Sequence, residues 1–210
     1  MKQVILFLAI AATPFITMAQ KNSGSKLLAA NTVTPTKWAL DKSHSSVKFS
    51  VQHLVISEVE GSFKVFSGGI DAPTPDFTNA KINFSVDVNS INTDDEKRDG
   101  HLKSDDFFNA EKYPQMNFAS TSFRKIKGNM YALEGDLTIR DVTKKVKFAV
   151  LYGGTIKDPW GNTKAGFKAS GKINRKEYGL KWSAITEAGG AVVGDDVNMV
   201  INVEFAQQKS

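Results

Sequence analysis

One apolar/polar alternation returns in segment after segment of this chain, and a period of two leaves every strand it builds with a single dry face. Val47, Phe49 and Val51 alternate with Lys48, Ser50 and Gln52, and Ile82, Phe84, Val86 and Val88 with Asn83, Ser85, Asp87 and Asn89. Val146, Phe148, Val150 and Tyr152 repeat the pattern, as do Val197, Met199, Ile201, Val203 and Phe205. Helical stretches are too few to cover those faces. The sheet must cover itself, as a sandwich or as a closed barrel, and a barrel encloses an apolar lumen.

Met1 to Ala19 begins with one base, Lys2, runs apolar from Val4 to Ile16 and closes on Thr17-Met18-Ala19, which predicts signal-peptide cleavage after Ala19. That run is short and broken at Pro14, and no later stretch is apolar enough to span a bilayer. The expectation is a soluble protein of the periplasm or the secreted fraction. With a Cys count of 0, neither a cysteine lipid anchor nor a disulfide can form, and packing alone must hold the fold. Gln20 to Lys37, polar and aperiodic, reads as a flexible leader. The remainder, 38–208, suits one β domain. The formal charge of +5 is scattered along strands and loops, as on a solvated outer wall. Nucleic acid is not an expected partner, because the aromatics share the dry face instead of interleaving with clustered lysines.

Alternation predicts strands at 38–41, 45–53, 60–71, 79–90, 115–125, 130–140, 143–156, 163–174 and 197–207. Asp158-Pro159-Trp160-Gly161-Asn162 predicts a hairpin between two of them, and Lys127-Gly128-Asn129 a second tight connection. Gly68-Gly69 and Gly153-Gly154 fall late in strands, where a bulge, a sharp bend or a plain turn would use a residue without Cβ. The helical section lies between 90 and 115. Thr93-Asp94-Asp95-Glu96 fits a capping box opening a helix to about Lys103, and Ser104 or Asp105 could cap a second turn that Pro114 stops. This insert should sit beside one barrel end.

The three histidines, His44, His53 and His101, lack the spacing of a metal site. Asp41 with His44 could orient an imidazole, yet no Gly-x-Ser-x-Gly elbow and no thiol supplies a nucleophile. The plainer reading is that Asp41, Ser43 and His44 hydrogen-bond the entry to a strand. His53 continues the dry face of Val47, Phe49 and Val51, so it is expected at the lumen end, meeting a ligand head group or sealing the core. Asp94, Asp95, Lys97 and Asp99 read as a solvated helix face. Arg98 is the exception, because a guanidinium at a barrel mouth could hold a phosphate or carboxylate.

Inward positions comprise Phe49, Val51, Phe63, Ile82, Phe84, Val86, Phe118, Leu137, Phe148, Val150, Phe167, Met199 and Ile201. These could fill a compact eight-stranded barrel. Small residues of the same parity, Ser120, Ala165, Ala169 and Gly171, leave room for a narrow elongated cavity suited to a chain-like apolar ligand.

The run Trp38-Ala39-Leu40-Asp41-Lys42-Ser43-His44-Ser45-Ser46-Val47-Lys48-Phe49-Ser50-Val51-Gln52-His53, with Val59-Glu60-Gly61-Ser62-Phe63 after it, resembles the opening of the YceI-like polyisoprenoid-binding family of bacteria. Arg98-Asp99-Gly100-His101-Leu102-Lys103-Ser104-Asp105-Asp106-Phe107-Phe108, Tyr113-Pro114 with Phe118, Gly135-Asp136-Leu137-Thr138-Ile139-Arg140-Asp141-Val142-Thr143-Lys144 and Asn174-Arg175-Lys176-Glu177-Tyr178-Gly179-Leu180 extend the likeness along most of the chain. The resemblance implies an all-β, antiparallel, lipocalin-like barrel of eight strands around a long isoprenoid or fatty chain. It also implies a periplasmic or secreted binding protein of the kind linked to stress or quinone metabolism, and it brings no catalytic residues and no cofactor. Ligands in such a family range from isoprenoid quinones to fatty acids and amides.

The resulting expectation is an exported carrier that exchanges its ligand with membranes without being integral to them, with a homodimer compatible with its outer faces. Two other classes stand beside it: a lipid-modifying enzyme using His44 and Asp41, with His101, and a ligand-free module that docks a membrane redox partner.

Overall fold

The computed structural model describes residues 34–185, 189–190 and 192–209 of the 210-residue chain. The predicted signal peptide and nearly all of the predicted leader lie outside the described residues. Strand β1 (Thr36–His53) pairs on one side with β10 (Val193–Gln207) and on the other with both β2 (Ser57–Phe63) and β3 (Phe66–Ala72). From β3 the sheet continues antiparallel through β4 (Lys81–Asp87), β6 (Gln115–Lys127), β7 (Met130–Ile139), β8 (Val142–Lys157) and β9 (Thr163–Asn174) back to β10. The short β5 (Ile91–Asn92) pairs with β2. β2 with β3, and β4 with β5, are single staves broken once each, so ten segments make an eight-stave closed barrel.

Two predicted strands, 38–41 and 45–53, are one. A bulge between Asp41 and Ser46 in the pairing with β10 absorbs the polar run without ending the strand. Asp41, Ser43 and His44 therefore serve a mid-strand bulge rather than a strand entry: Ser43 N–H donates to Asp41 Oδ1 (3.1 Å) and Ser45 Oγ to the Asp41 carbonyl (2.6 Å). The predicted strands at 60–71 and 79–90 both break, at Lys64–Val65 and at the 3₁₀ turn Val88–Ser90. The two breaks satisfy each other through Lys64 N–H to the Ser90 carbonyl (3.1 Å) and Asp87 N–H to the Val65 carbonyl (2.9 Å). Gly153 and Gly154 do mark a bulge, and Gly154 has a φ of 115°. Gly68 and Gly69 do not: β3 and β4 pair there without a shift.

Helix α1 (Glu96–Lys103) ends where expected but starts differently. Its N-cap is Asp95, whose side chain accepts from Arg98 N–H (3.0 Å). Thr93 is buried instead, and Asp99 is no solvated residue: its Oδ1 accepts from both Thr93 N–H (2.9 Å) and Thr93 Oγ1 (2.6 Å). The two donors satisfy the carboxylate where solvent does not reach it. The predicted second helical turn is a set of hydrogen-bonded turns at 104–113, including Ala110 N–H to the Lys103 carbonyl (2.9 Å) and Tyr113 N–H to the Asn109 carbonyl (2.8 Å).

The barrel ends differ. One is plugged by rings: Phe77, 1% exposed, packs on Trp38 (5.1 Å between centroids), Phe167 (5.1 Å) and Tyr152 (5.6 Å), while Phe123 stacks on Tyr131 (4.9 Å). The other is covered by the insert around α1 and by the segment after β9.

Candidate ligand-binding lumen

Alternation alone does not make a barrel hollow, because a ring pointing straight inward from each stave would meet its opposite number. Here four phenylalanines fold sideways onto glycines of the adjacent stave. A Cβ built on Gly61 would lie 2.3 Å from Phe49 Cζ, on Gly68 2.6 Å from Phe84 Cδ2, on Gly135 2.4 Å from Phe118 Cζ and on Gly171 2.6 Å from Phe148 Cδ1. Phe49 is the register partner of Gly61, and Phe84 of Gly68. Each ring lies along the wall in the space a side chain would fill, the arrangement in which an aromatic neighbour covers a strand glycine.

The axis is thereby left as a cavity of about 190 Å³. For scale, an apolar void of ~150 Å³ is enough to admit benzene. The lining runs from Val197 to Phe205 along β10, a path of about 26 Å at ~3.3 Å per residue and about 20 Å of depth once strand tilt is included. Among the lining residues only Lys48, Asn117 and Arg175 are polar.

The covered end is held by two arginines. Arg175, 4% exposed, donates Nε to the Gly194 carbonyl (2.8 Å) and NH1 to those of Leu180 (2.7 Å) and Trp182 (2.8 Å), which fixes the return into β10. Burial lowers its pKa, and the guanidinium of an arginine stays charged regardless. Arg140, at the β7–β8 turn with a φ of 56°, donates NH1 to the carbonyls of Phe107 (3.1 Å) and Gly179 (3.2 Å) and pairs NH2 with Asp105 (3.0 Å). Between them His101, hydrogen-bonded to Asp106 (2.8 Å), meets Phe107 and Trp182 edge-on. Leu102, Phe107 and Phe108 of the insert and Leu180 reach the cavity from this end. Among the described residues two buried side-chain atoms, Trp38 Nε1 and Tyr178 Oη, have no hydrogen-bond partner, and burial pushes the Tyr178 hydroxyl up to about 12.

The structure places Phe49, Val51, Phe63, Ile82, Phe84 and Val86 on the lumen, with Phe118, Leu137, Phe148, Val150, Phe167, Met199 and Ile201 on the remaining staves. His53 is half-buried and is not among the lining residues: β1 keeps its register with β2 to His53, but that is the last residue of the strand, and its β10 partner Val193 takes the place at the cavity's end. Arg98 is not at the cavity either. Its Nε and NH2 donate to Thr93 Oγ1 and to the Thr93 carbonyl, both at 2.8 Å, so the guanidinium is occupied within the insert. Of the small residues, Ala169 lines the cavity, Ser120 Oγ accepts from Ile82 N–H (2.8 Å), Ala165 is packed away at 1% exposure and Gly171 carries the Phe148 ring. Val203 and Phe205, which alternation puts on the dry face with Met199 and Ile201 but which stand outside the expected inward set, line the cavity too, as does the Phe107-Phe108 pair, conspicuous in an otherwise polar insert.

Asp41 and His44 face away from the lumen, since Glu204 beside them falls between the lumen-lining Val203 and Phe205. Lys164 Nζ lies 2.5 Å from Asp41 Oδ2 and 3.1 Å from Glu204 Oε1, with His44 Nδ1 3.1 Å from Asp41 Oδ2. Asp41, His44 and Glu204 cluster as metal ligands could, but the ammonium holds the place between the two carboxylates. Its hydrogen bond, then that of His44, lowers the Asp41 carboxyl to about 2 and raises Lys164 in turn.

A YceI-like domain family model matches residues 38–205. A UPF0312 protein of Staphylococcus aureus (strain USA300) is 36% identical over 172 residues, covering 81% of this chain and 98% of the relative. The crystal structure of the Campylobacter jejuni YceI protein superposes with a TM-score of 0.64 at 36% identity, covering 76% of this chain and 90% of that one. A polyisoprenoid binding domain from Saccharophagus degradans shares the fold at 18% identity and a TM-score of 0.60, covering 81% and 98%.

Proposed function

This chain belongs to the YceI-like family, and on that footing we propose that it is an exported carrier which sequesters a long apolar molecule, an isoprenoid or a fatty chain, in its lumen. The observation that carries the reading is the set of phenylalanine rings folded onto Gly61, Gly68, Gly135 and Gly171, which keeps an apolar cavity open along the barrel. A protein that needed only a core would fill this space, since an unfilled apolar void costs stability. Each methylene buried there contributes about 0.8 kcal/mol, so a flexible hydrocarbon gains affinity with length. The polyisoprenoid-binding relative of the same fold supports that class of ligand. Export rests on the pattern ending at Ala19, and loading from or delivery to a membrane follows from the ligand's insolubility. The Asp41–His44 pair on the outer wall is remote from any cargo held inside.

Native mass spectrometry and organic extraction of protein purified from its producing cells test this. A co-purifying lipid of long chain is expected, lost in a Met199→Trp variant that fills the lumen while leaving circular dichroism unchanged. Repeated recovery of ligand-free protein that also fails to bind long-chain fatty acid or polyprenol would refute it.

A further inference from the structure

The turn between β1 and β2 is built from residues that a water-exposed hairpin does not favour. Ile56 N–H donates to the His53 carbonyl (3.2 Å), leaving Leu54 and Val55 as the central pair. Both have positive φ, 50° and 65°, which suits Asn-Gly and strains a leucine and, more so, a β-branched valine. Val55 and Ile56 gain little shelter in return, at 60% and 85% exposed, and Leu54 is only partly covered at 38%. Ile185, 77% exposed, extends the same tip, because Leu54 N–H donates to the Val192 carbonyl (3.0 Å) and Val192 N–H to that of Ala184 (2.9 Å).

Directly beneath this tip the surface becomes the lumen. His53 pairs with Val193, and Val193 and Val51 both line the cavity. From the lining Val51, only Gln52 and His53 intervene along β1 before the apolar tip at Leu54, Val55 and Ile56. Charged groups near this rim carry both signs: Glu58 and Lys181 are exposed, and Lys176 pairs with Asp195 at 2.9 Å. Strain retained for so little packing reward points to a use outside the folded chain, and a tip that is greasy, electrically balanced and set beside the end of a greasy lumen matches the interior edge of a bilayer.

We propose that Leu54, Val55 and Ile56 insert into the interfacial region of a phospholipid membrane and seat the lumen mouth against it. This rests on the carrier reading, because a membrane is where a water-insoluble cargo is collected or released. Insertion of this kind is driven by apolar burial, so it extends to uncharged phosphatidylcholine and persists at high salt. A second exposed patch, Trp160 (84%) with Ile156 (69%) beside Lys157, lies on the β8–β9 hairpin and supplies the control.

The test compares host-processed protein with a Leu54→Asn, Val55→Gly, Ile56→Ser variant and with Trp160→Ser. The triple variant replaces the tip with a turn of natural conformation, so its melting temperature should be equal or higher, which separates docking from misfolding. Flotation with phosphatidylcholine vesicles, read without cargo, should fall about tenfold or more in the triple variant and be unchanged by Trp160→Ser and by salt on the order of 0.5 M. Transfer of a fluorescent long-chain fatty acid to vesicles should slow by a like factor, while its binding in solution stays the same. Wild-type flotation by the triple variant, loss confined to Trp160→Ser, or self-association abolished by the triple variant without any vesicle binding overturns the proposal. Failure of wild-type protein to bind the fatty acid in solution would count against the carrier reading alone, since flotation is measured without it.

Discussion

Gly61→Ala isolates the reason the lumen is open. The added methyl would sit 2.3 Å from Phe49 Cζ, 2.7 Å from Phe49 Cε1 and 2.9 Å from Thr93 Cγ2. No backbone atom is among these neighbours; the buried Thr93, held by its bond to Asp99, must give slightly, and the ring, which clashes most, has the cavity to move into. Displacing it forfeits the tilted contact with Phe63, 5.6 Å between centroids, worth about 0.5–1.5 kcal/mol. Overpacking adds about 1–3 kcal/mol, and replacing a strand glycine returns about 0.5–1 kcal/mol. The net expectation is a loss of about 1–3 kcal/mol, which is about 2–10 °C for a domain of this size, together with weaker binding of any apolar probe. Adding Phe49→Leu should relieve both effects. Denaturant unfolding and probe titration of the two singles and the double give a cycle whose coupling energy should reach at least about 1 kcal/mol. Additive behaviour, or unaltered probe affinity in Gly61→Ala, would show that the ring does not depend on the glycine. Gly100→Ala, where a Cβ meets nothing within 4 Å, is the control: a helix position that should gain stability.

Lys164→Met should cost about 1–3 kcal/mol at neutral pH, because Asp41 and Glu204 then face each other without the ammonium. Asp41, lowered to about 2 from 3.8, gives wild-type protein stability that is present above 3.8 and lost as pH falls toward 2; urea titrations between those limits should show a steep slope that flattens in the variant. Arg175→Met should lower stability by about 3 kcal/mol by orphaning the carbonyls it holds, and should speed probe release measured by stopped-flow, whereas an unchanged release rate would mean that this end does not govern access.

The staves were legible because alternation is a local property, and the inward Phe and Val positions follow from it as soon as one face is assigned. What failed depends on pairing. Gly61 and Gly135 look like weak points in a strand until the register sets each beside a phenylalanine of its neighbour. Parity alone predicts His53 on the lumen, but the lining stops one step short of it on β1 and passes to its partner Val193 on β10, which alternation cannot show. Thr93 and Glu96 fit a capping box in sequence, yet the chain turns so that Asp95 caps α1 while Asp99 and Arg98 converge on Thr93, a choice made by burial rather than by local pattern. The charge of Arg98 is visible in the sequence, but its engagement by the Thr93 hydroxyl and carbonyl follows from how the insert turns.

The barrel is zipped by its first and last strands, with Trp38 opposite Gln207 and Gln208 N–H donating to the Lys37 carbonyl (2.8 Å). Closure thus joins the residues farthest apart in the domain, the slowest kind of contact for a chain to form. Without the 15 residues of β10 docked, the sheet has two open edges and no enclosed interior. Competence to hold cargo therefore arrives with the last strand to dock, all at once.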